Sequence, residues 1–395
     1  MKRWIPLLAL LLLPTMAAAQ GSRFEFYGFV MMDAGYDFNR VDPAWFDVLR
    51  TTKLPSNASE FGGDGADGNT YFSVRQTRFG VRSTTPTDVG DLKTQFEWEL
   101  FGVGADAGQT TIRLRHAYGE LGKVGAGQTW SPFMDIDVFP NTVEYWGPPG
   151  MAFFRNVQVR YMPIQGDTRM TIALERPGAS GDQGIYAGRV ELSGIAAHFP
   201  LPDLSAEYRR AMDWGYVEVA GIVRYIEWED NVATDAFELS GDAVGWGLNL
   251  SSNIKPTDND VVRLSFLYGE GVENYMNDAP ADIGVEPNPG NPVTPLVGEA
   301  LPVMGVVAFL DHTWNEKFSS SVGYSMIDID NSSGQAPSAF ATGHYAIANI
   351  AHYPTANVMT VAELQYGKRE NFSDGFTSDD VRIQFSFKYN FALNI

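Results

Sequence analysis

The chain contains no cysteine, so it can form neither a disulfide nor a thiolate metal site. Histidine is scarce: only His116, His198, His312, His344 and His352 occur among 395 residues. They fall on separate segments, none at the helical spacing of a zinc-protease motif, and no G-x-S-x-G is present. No catalytic residue, metal ligand set or cofactor is therefore read, and no enzyme activity is expected. Positive charge is also short, with 28 Lys and Arg against 48 Asp and Glu and a net charge of −20. Such a balance argues against nucleic acid as a partner, because phosphate binding needs a basic surface. Long hydrophobic runs are missing too. Past the first residues nothing approaches the roughly 18 apolar residues that a spanning helix requires.

Residues 1–19 read as a secretory signal. Lys2 and Arg3 supply the positive start, Ile5 to Met16 a short apolar core, and Ala17-Ala18-Ala19 a small-residue cleavage site before Gln20. An exported chain without helical spans is either soluble or a β-barrel.

What the chain has in abundance is period-2 alternation in segments of about ten residues. In the last segment Val381, Ile383, Phe385, Phe387, Tyr389 and Phe391 face one way, and Arg382, Gln384, Ser386, Lys388 and Asn390 the other. Ile112, Leu114 and Tyr118 likewise oppose Arg113 and Arg115. Sixteen strands are expected, near 23–38, 70–84, 90–102, 109–121, 123–131, 152–163, 167–176, 203–212, 214–229, 241–255, 259–270, 301–315, 317–330, 341–353, 356–370 and 378–391. Their connections alternate between very short and long, as in outer-membrane barrels with tight periplasmic turns and long extracellular loops. Soluble hairpins have no reason to sort that way. The expected fold is all-β: a single 16-stranded antiparallel transmembrane β-barrel over 20–395, apolar outside and polar within. Tyr27, Tyr36, Tyr118, Trp130, Tyr161, Trp228, Tyr324, Tyr366 and Tyr389 are candidates for its interfacial girdles.

Arginine on a lipid face costs roughly 2–4 kcal/mol near the midplane, so most arginines must face the lumen or sit near the strand ends. Arg78, Arg82, Arg113, Arg115, Arg155, Arg160, Arg263 and Arg382 are the candidates to line the pore and steer anions; Arg75 falls on the opposite face from Arg78 and Arg82. Guanidinium groups also hold carboxylates, so pairing with Glu97 and Glu99 to stiffen the wall is the competing role. The apolar, Pro-rich segment 131–151 is expected to fold inward as a constriction, with Asp135, Asp137 and Glu144 facing the arginine wall across the pore. The acids of 270–300 and 39–69 read as solvated loop surface. Divalent-cation bridging is the sharper alternative, and the Asp64–Asp67–Asn69 run is only a weak calcium signal.

The stretches VRQTRFGVRSTTPTDVGDLKTQFEWELFG, TTIRLRHAYGELG, GQTWSPFMDIDVFPNTVEYWGPPGMAFFRNVQVRY, FPLPDLSAEYR and WGYVEVAGIVR resemble the DcaP-like outer-membrane porins, from about Phe24 to Phe391. The resemblance implies a homotrimer in outer-membrane lipid that takes up small anionic solutes, notably dicarboxylates. It places the family's basic lumen at Arg113, Arg115, Arg155 and Arg160 and its inward loop at Ser131–Gly150. The expected function is passive diffusion of such solutes across the bacterial outer membrane. The alternative is a structural or adhesive barrel with a closed lumen.

Overall fold

The computed structural model describes residues 21–63, 65–232 and 236–395. The leader expected over 1–19 and Asp64 of the acidic run lie outside the described residues. The fold is a closed antiparallel barrel of sixteen strands. In chain order these are Arg23–Asp37, Arg78–Thr87, Gly90–Phe101, Thr110–Leu121, Val124–Trp130, Arg155–Ile164, Arg169–Glu175, Asp203–Met212, Gly215–Asp230, Gly241–Thr257, Asp260–Glu270, Pro302–Asn315, Phe318–Ile329, Phe340–Thr355, Val358–Asn371 and Thr377–Asn394. The first and last strands close the cylinder in register from Glu25 opposite Asn394 to Asp37 opposite Arg382. Closure leaves no exposed sheet edge, which is the condition for spanning a bilayer with strands.

Alternation sets the faces. Phe385, Phe387, Tyr389 and Phe391 are exposed on the outside, while Arg382, Gln384 and Ser386 are buried inside. The same holds around the cylinder, where Val157, Val159, Leu248, Leu250, Phe266 and Leu364 look outward. A soluble protein would bury that surface; here the acyl chains cover it. Tyr36, Tyr161, Tyr324, Tyr366 and Tyr389 are on the exterior as girdle residues. Tyr27 and Tyr118 are not. The Tyr27 hydroxyl donates to Glu97 at 2.8 Å inside the barrel, and Tyr118 packs under the Arg160 guanidinium.

The Tyr118 reversal has a local cause. Glu97 pairs with His116 but Trp98 pairs with Leu114, so Arg115 is an extra residue in its strand. This β-bulge turns both Arg115 and His116 inward and flips the parity of the later residues in the strand. A second break splits the strand expected over 70–84. Asn69–Ser73 pairs with the upper half of the first strand and Arg78–Thr87 with its lower half. Between them the chain dips inward, so Arg75 is buried rather than facing outward. It ion-pairs with Asp47 at 2.5 Å and lies 3.8 Å from the centre of the Phe101 ring.

Candidate functional site in the barrel lumen

The segment 131–154 leaves the strand Val124–Trp130 and runs inside the barrel along one wall. Its apolar side chains fix the path. Phe133, Val138 and Met151 are buried among Ile222, Leu267, Val303, Val307, Phe309, Ile327, Tyr345 and Ile347 of the facing strands. Each such side chain contributes about 1.5–3 kcal/mol relative to water. Two glycines allow the closest approach: a Cβ on Gly150 would fall 2.0 Å from the Met326 carbonyl oxygen, and one on Gly305 would fall 2.1 Å from that of Gly150. Gly147 takes a φ of 89°, a left-handed conformation that glycine adopts without strain.

The segment's acids serve as anchors. Asp135 accepts from Arg209 at 2.5 Å, from the Tyr216 hydroxyl at 2.6 Å and from Ser251 at 2.7 Å. Glu144 accepts from the backbone N–H groups of Leu49 at 2.9 Å, Trp146 at 3.0 Å and Gly147 at 2.6 Å, and from the Tyr345 hydroxyl at 3.0 Å. No cation pairs with Glu144 among the described residues. Its burial pushes the carboxyl up to about 7, against the lowering effect of those backbone donors. The expected opposition of Asp135, Asp137 and Glu144 to the arginine wall is therefore corrected. Buried carboxylates must be hydrogen-bonded, and these turn to the nearest donors on the wall they rest against. Asp137 alone stays half exposed, and it bonds Arg209.

The opposite wall is left open and is basic. Glu99, fully buried, accepts from Arg113, from Arg115 at 2.7 Å, and from Arg78 at 3.3 Å; the Tyr145 hydroxyl of the inward segment also donates to it. Glu97 takes a second bond from Arg115, at 2.7 Å. Arg155 stands beside them without an ion pair or hydrogen bond among the described residues. Its guanidinium is 4.7 Å from the centre of the Trp130 ring, and its buried Nη1 has no partner. Lys388 is likewise without an ion pair among them, its Nζ lying 4.1 Å from the Phe29 ring centre.

These cations border one cavity of about 660 Å³. Arg78, Arg113, Arg115, Arg155 and Lys388 face only Glu97 and Glu99, five positive charges to two negative, a surplus of three. Arg50 also borders the cavity but is matched by Asp278 at 2.9 Å. The other bordering carboxyls, Glu144 and Glu273, are both raised by burial, Glu144 to about 7 and Glu273 well above the ordinary range, so the pair is at most partly ionised near neutral pH and the surplus remains positive. Beyond Ile136 and Phe139, which border both spaces, is a second chamber of about 640 Å³. There Arg209, Lys255 and Arg263 are balanced by Asp137, Asp167 and Asp213.

Of the arginines read from the sequence, the structure brings together Arg78, Arg113, Arg115 and Arg155. The others stand apart. Arg82 is near the periplasmic end, 3.7 Å from Glu25. Arg160 donates to the Gln158 side chain at 3.0 Å and to the Trp130 carbonyl. Arg263 pairs with Asp311 at 2.5 Å in the second chamber. Arg382 does face inward, but the first loop covers it: it donates to the Phe46 carbonyl at 2.7 Å and pairs with Asp37, so it is not a pore-lining residue. The acids of 270–300 are not all solvated surface either. Asp278 is buried against Arg50, Thr51 and Thr52, and Asp282 pairs with Arg224 at 2.7 Å. Sequence reasoning misses Lys388 as a site residue, although its place on the polar face of the last strand marks it. Arg209 and Arg224, the ends of two family-like stretches, follow the same inward parity. Among the described residues no histidine hydrogen-bonds a serine; His116 meets Thr129, His312 meets Asp260, and His344 meets Tyr324.

A strand-closed cylinder with an apolar exterior, an inward segment and a charged lumen defines an outer-membrane barrel of the porin type. The model of the DcaP outer membrane protein family matches residues 14–391, and the chain belongs to that family. Among solved structures, the outer membrane channel DcaP of Acinetobacter baumannii is similar at 21% identity and a TM-score of 0.74, covering 94% of this chain and 98% of that one. An anion-selective porin from Comamonas acidovorans aligns at 10% identity and a TM-score of 0.58, over 94% of this chain and 100% of that one. OmpF of Salmonella typhi, solved with daunomycin, aligns at 12% identity and a TM-score of 0.51, over 93% and 97%. No curated protein sequence matches.

Proposed function

We propose that the chain is a passive channel for small anionic solutes, dicarboxylates among them, working as a homotrimer in the outer membrane after export and removal of residues 1–19. The observation that carries the reading is the positive surplus on the open wall, centred on the unpaired Arg155 and Lys388, in a chain whose net charge is −20. The low-dielectric wall and surrounding lipid focus that local field into the lumen and raise the concentration of carboxylates at its narrow part. Glu99 fixes both Arg113 and Arg115; Arg113 keeps part of its guanidinium toward the lumen, and the buried Arg115 adds field rather than contact. One carboxylate of such a solute can engage the unpaired Arg155 directly, while the other meets Arg113, which shares its guanidinium with Glu99. Diffusion down a gradient then needs no cofactor and no energy source. The inward segment sets the size limit, its Ile136–Phe139 edge narrowing the lumen between the two chambers. The test is single-channel recording with a panel of mono- and dicarboxylates. Dicarboxylates should interrupt the current longest, and neutralising Arg113 and Arg115 should shorten those interruptions. Equal, unresolvable blockage by every solute would remove the dicarboxylate reading.

A further inference from the structure

Outside the lumen, one cluster takes no part in the arrangement above. The strand Ile195–His198 belongs to a long extracellular loop and pairs with the upper end of Gly215–Asp230, with His198 directly opposite Glu227. On Gly215–Asp230 the odd-numbered residues look away from the lumen. Toward the extracellular end they run Val217, Val219, Val223, then Tyr225, then Glu227 and Glu229. The outer face thus passes from apolar to aromatic to acidic, which puts the two glutamates above the hydrocarbon band. On the other side Asp242 lies opposite Glu227.

His198 Nδ1 is 3.4 Å from an oxygen of Glu227 and 3.4 Å from an oxygen of Glu229. The three donor atoms lie within 4.8 Å of one another, and both His198 and Glu229 are exposed. No Lys or Arg pairs with these carboxylates among the described residues. With His198 neutral, Glu227, Glu229 and Asp242 leave three negative charges on adjacent strands, an arrangement that is destabilising when uncompensated. The spacing is informative. Donors bound to one tetrahedral Zn²⁺ at roughly 2.0–2.1 Å are themselves roughly 3.4 Å apart. One imidazole nitrogen with two carboxylates is a donor set for zinc-class ions, whereas calcium and magnesium favour oxygen alone.

We propose that His198, Glu227 and Glu229 bind a divalent transition-metal ion of the zinc class on the outer rim of the barrel, tying the loop strand to the wall. Three protein donors leave a fourth position open to water or another oxygen ligand. The ion also offsets the carboxylate repulsion, with Asp242 contributing field from the next strand. This site is independent of solute passage.

The competing arrangement is a protonated His198 bridging the two glutamates with no metal. Isothermal titration of the detergent-solubilised full chain with ZnCl₂ at pH 7 separates the two. The expected result is saturable binding of one equivalent, weakened at least tenfold in His198→Ala and in the Glu227→Gln, Glu229→Gln double variant, with no comparable binding of MgCl₂. Heat-modifiable gel mobility checks that each variant remains a folded barrel. Absence of saturable zinc binding overturns the proposal. So does unchanged affinity in His198→Ala, or loss of binding on substituting His312, which is held by Asp260 at the other end of the barrel.

Discussion

The two walls of the lumen are built from the same residue types and do different work. On the covered wall, Arg209 meets Asp135 and Glu218, Arg224 meets Asp203 and Asp282, and Arg382 meets Asp37, all beneath loops. On the open wall, Glu97 and Glu99 are outnumbered and Arg155 has no acid of its own. Charge composition is alike; stoichiometry and cover are not. Matched pairs under a loop fix the shape of the lumen, and the unmatched remainder gives it a field. An acidic protein can therefore hold a basic pore, because net charge is a property of the whole surface and selectivity of a few square nanometres.

Removing an anchor should break the comparison hardest. Asp135→Ala removes one of the three carboxylates paired with Arg209 and leaves the buried Tyr216 and Ser251 hydroxyls without their acceptor, at about 1–3 kcal/mol for each stranded donor. Thermal denaturation should show that loss, and planar-bilayer recording should show a wider, noisier conductance. Arg155→Ala, with no pair to break, should leave the melting transition nearly unchanged. Equal destabilisation by both would erase the distinction between the walls.

The next effect is on selectivity. Arg155→Ala combined with Lys388→Ala removes two of the three surplus charges and should lower the anion-to-cation permeability ratio several-fold. Reversal potentials under a salt gradient measure it.

A smaller, pH-dependent effect belongs to the covered wall. Glu144 has its carboxyl raised from 4.5 to about 7 in the folded protein, chiefly by burial. A raised value means that the folded state favours the protonated form. Its contribution is fully present below about pH 4.5 and is lost as pH rises through 7. The inward segment should therefore be held more firmly at pH 5 than at pH 8, seen as fewer conductance fluctuations at the lower pH. Glu144→Gln should flatten that dependence. The smallest change expected is Arg82→Ala, which removes an exposed pair with Glu25 worth about 0–1 kcal/mol, with selectivity unaltered.

The strands and their faces are legible in the sequence because alternation is written residue by residue. Phe385 against Gln384 needs no long-range information. The failures fall where one residue shifts the count. The bulge at Arg115 and the inward dip at Arg75 carry no compositional mark, so simple parity puts Tyr118 and Arg75 on the wrong face. The site is half legible. Parity places Arg113, Arg115 and Arg382 inside, but says nothing of what lies on top of them. That Phe46 and its loop cover Arg382, and that Glu144 reaches Tyr345 rather than an arginine, depends on contacts between segments hundreds of residues apart.

A positive surplus on the open wall of a negatively charged chain fixes the sign of the zero-current potential of the purified channel in a planar bilayer under a tenfold KCl gradient. The potential should take the sign set by chloride and move toward zero in the Arg155→Ala, Lys388→Ala variant. A potential of the sign set by potassium in the unaltered protein would contradict it.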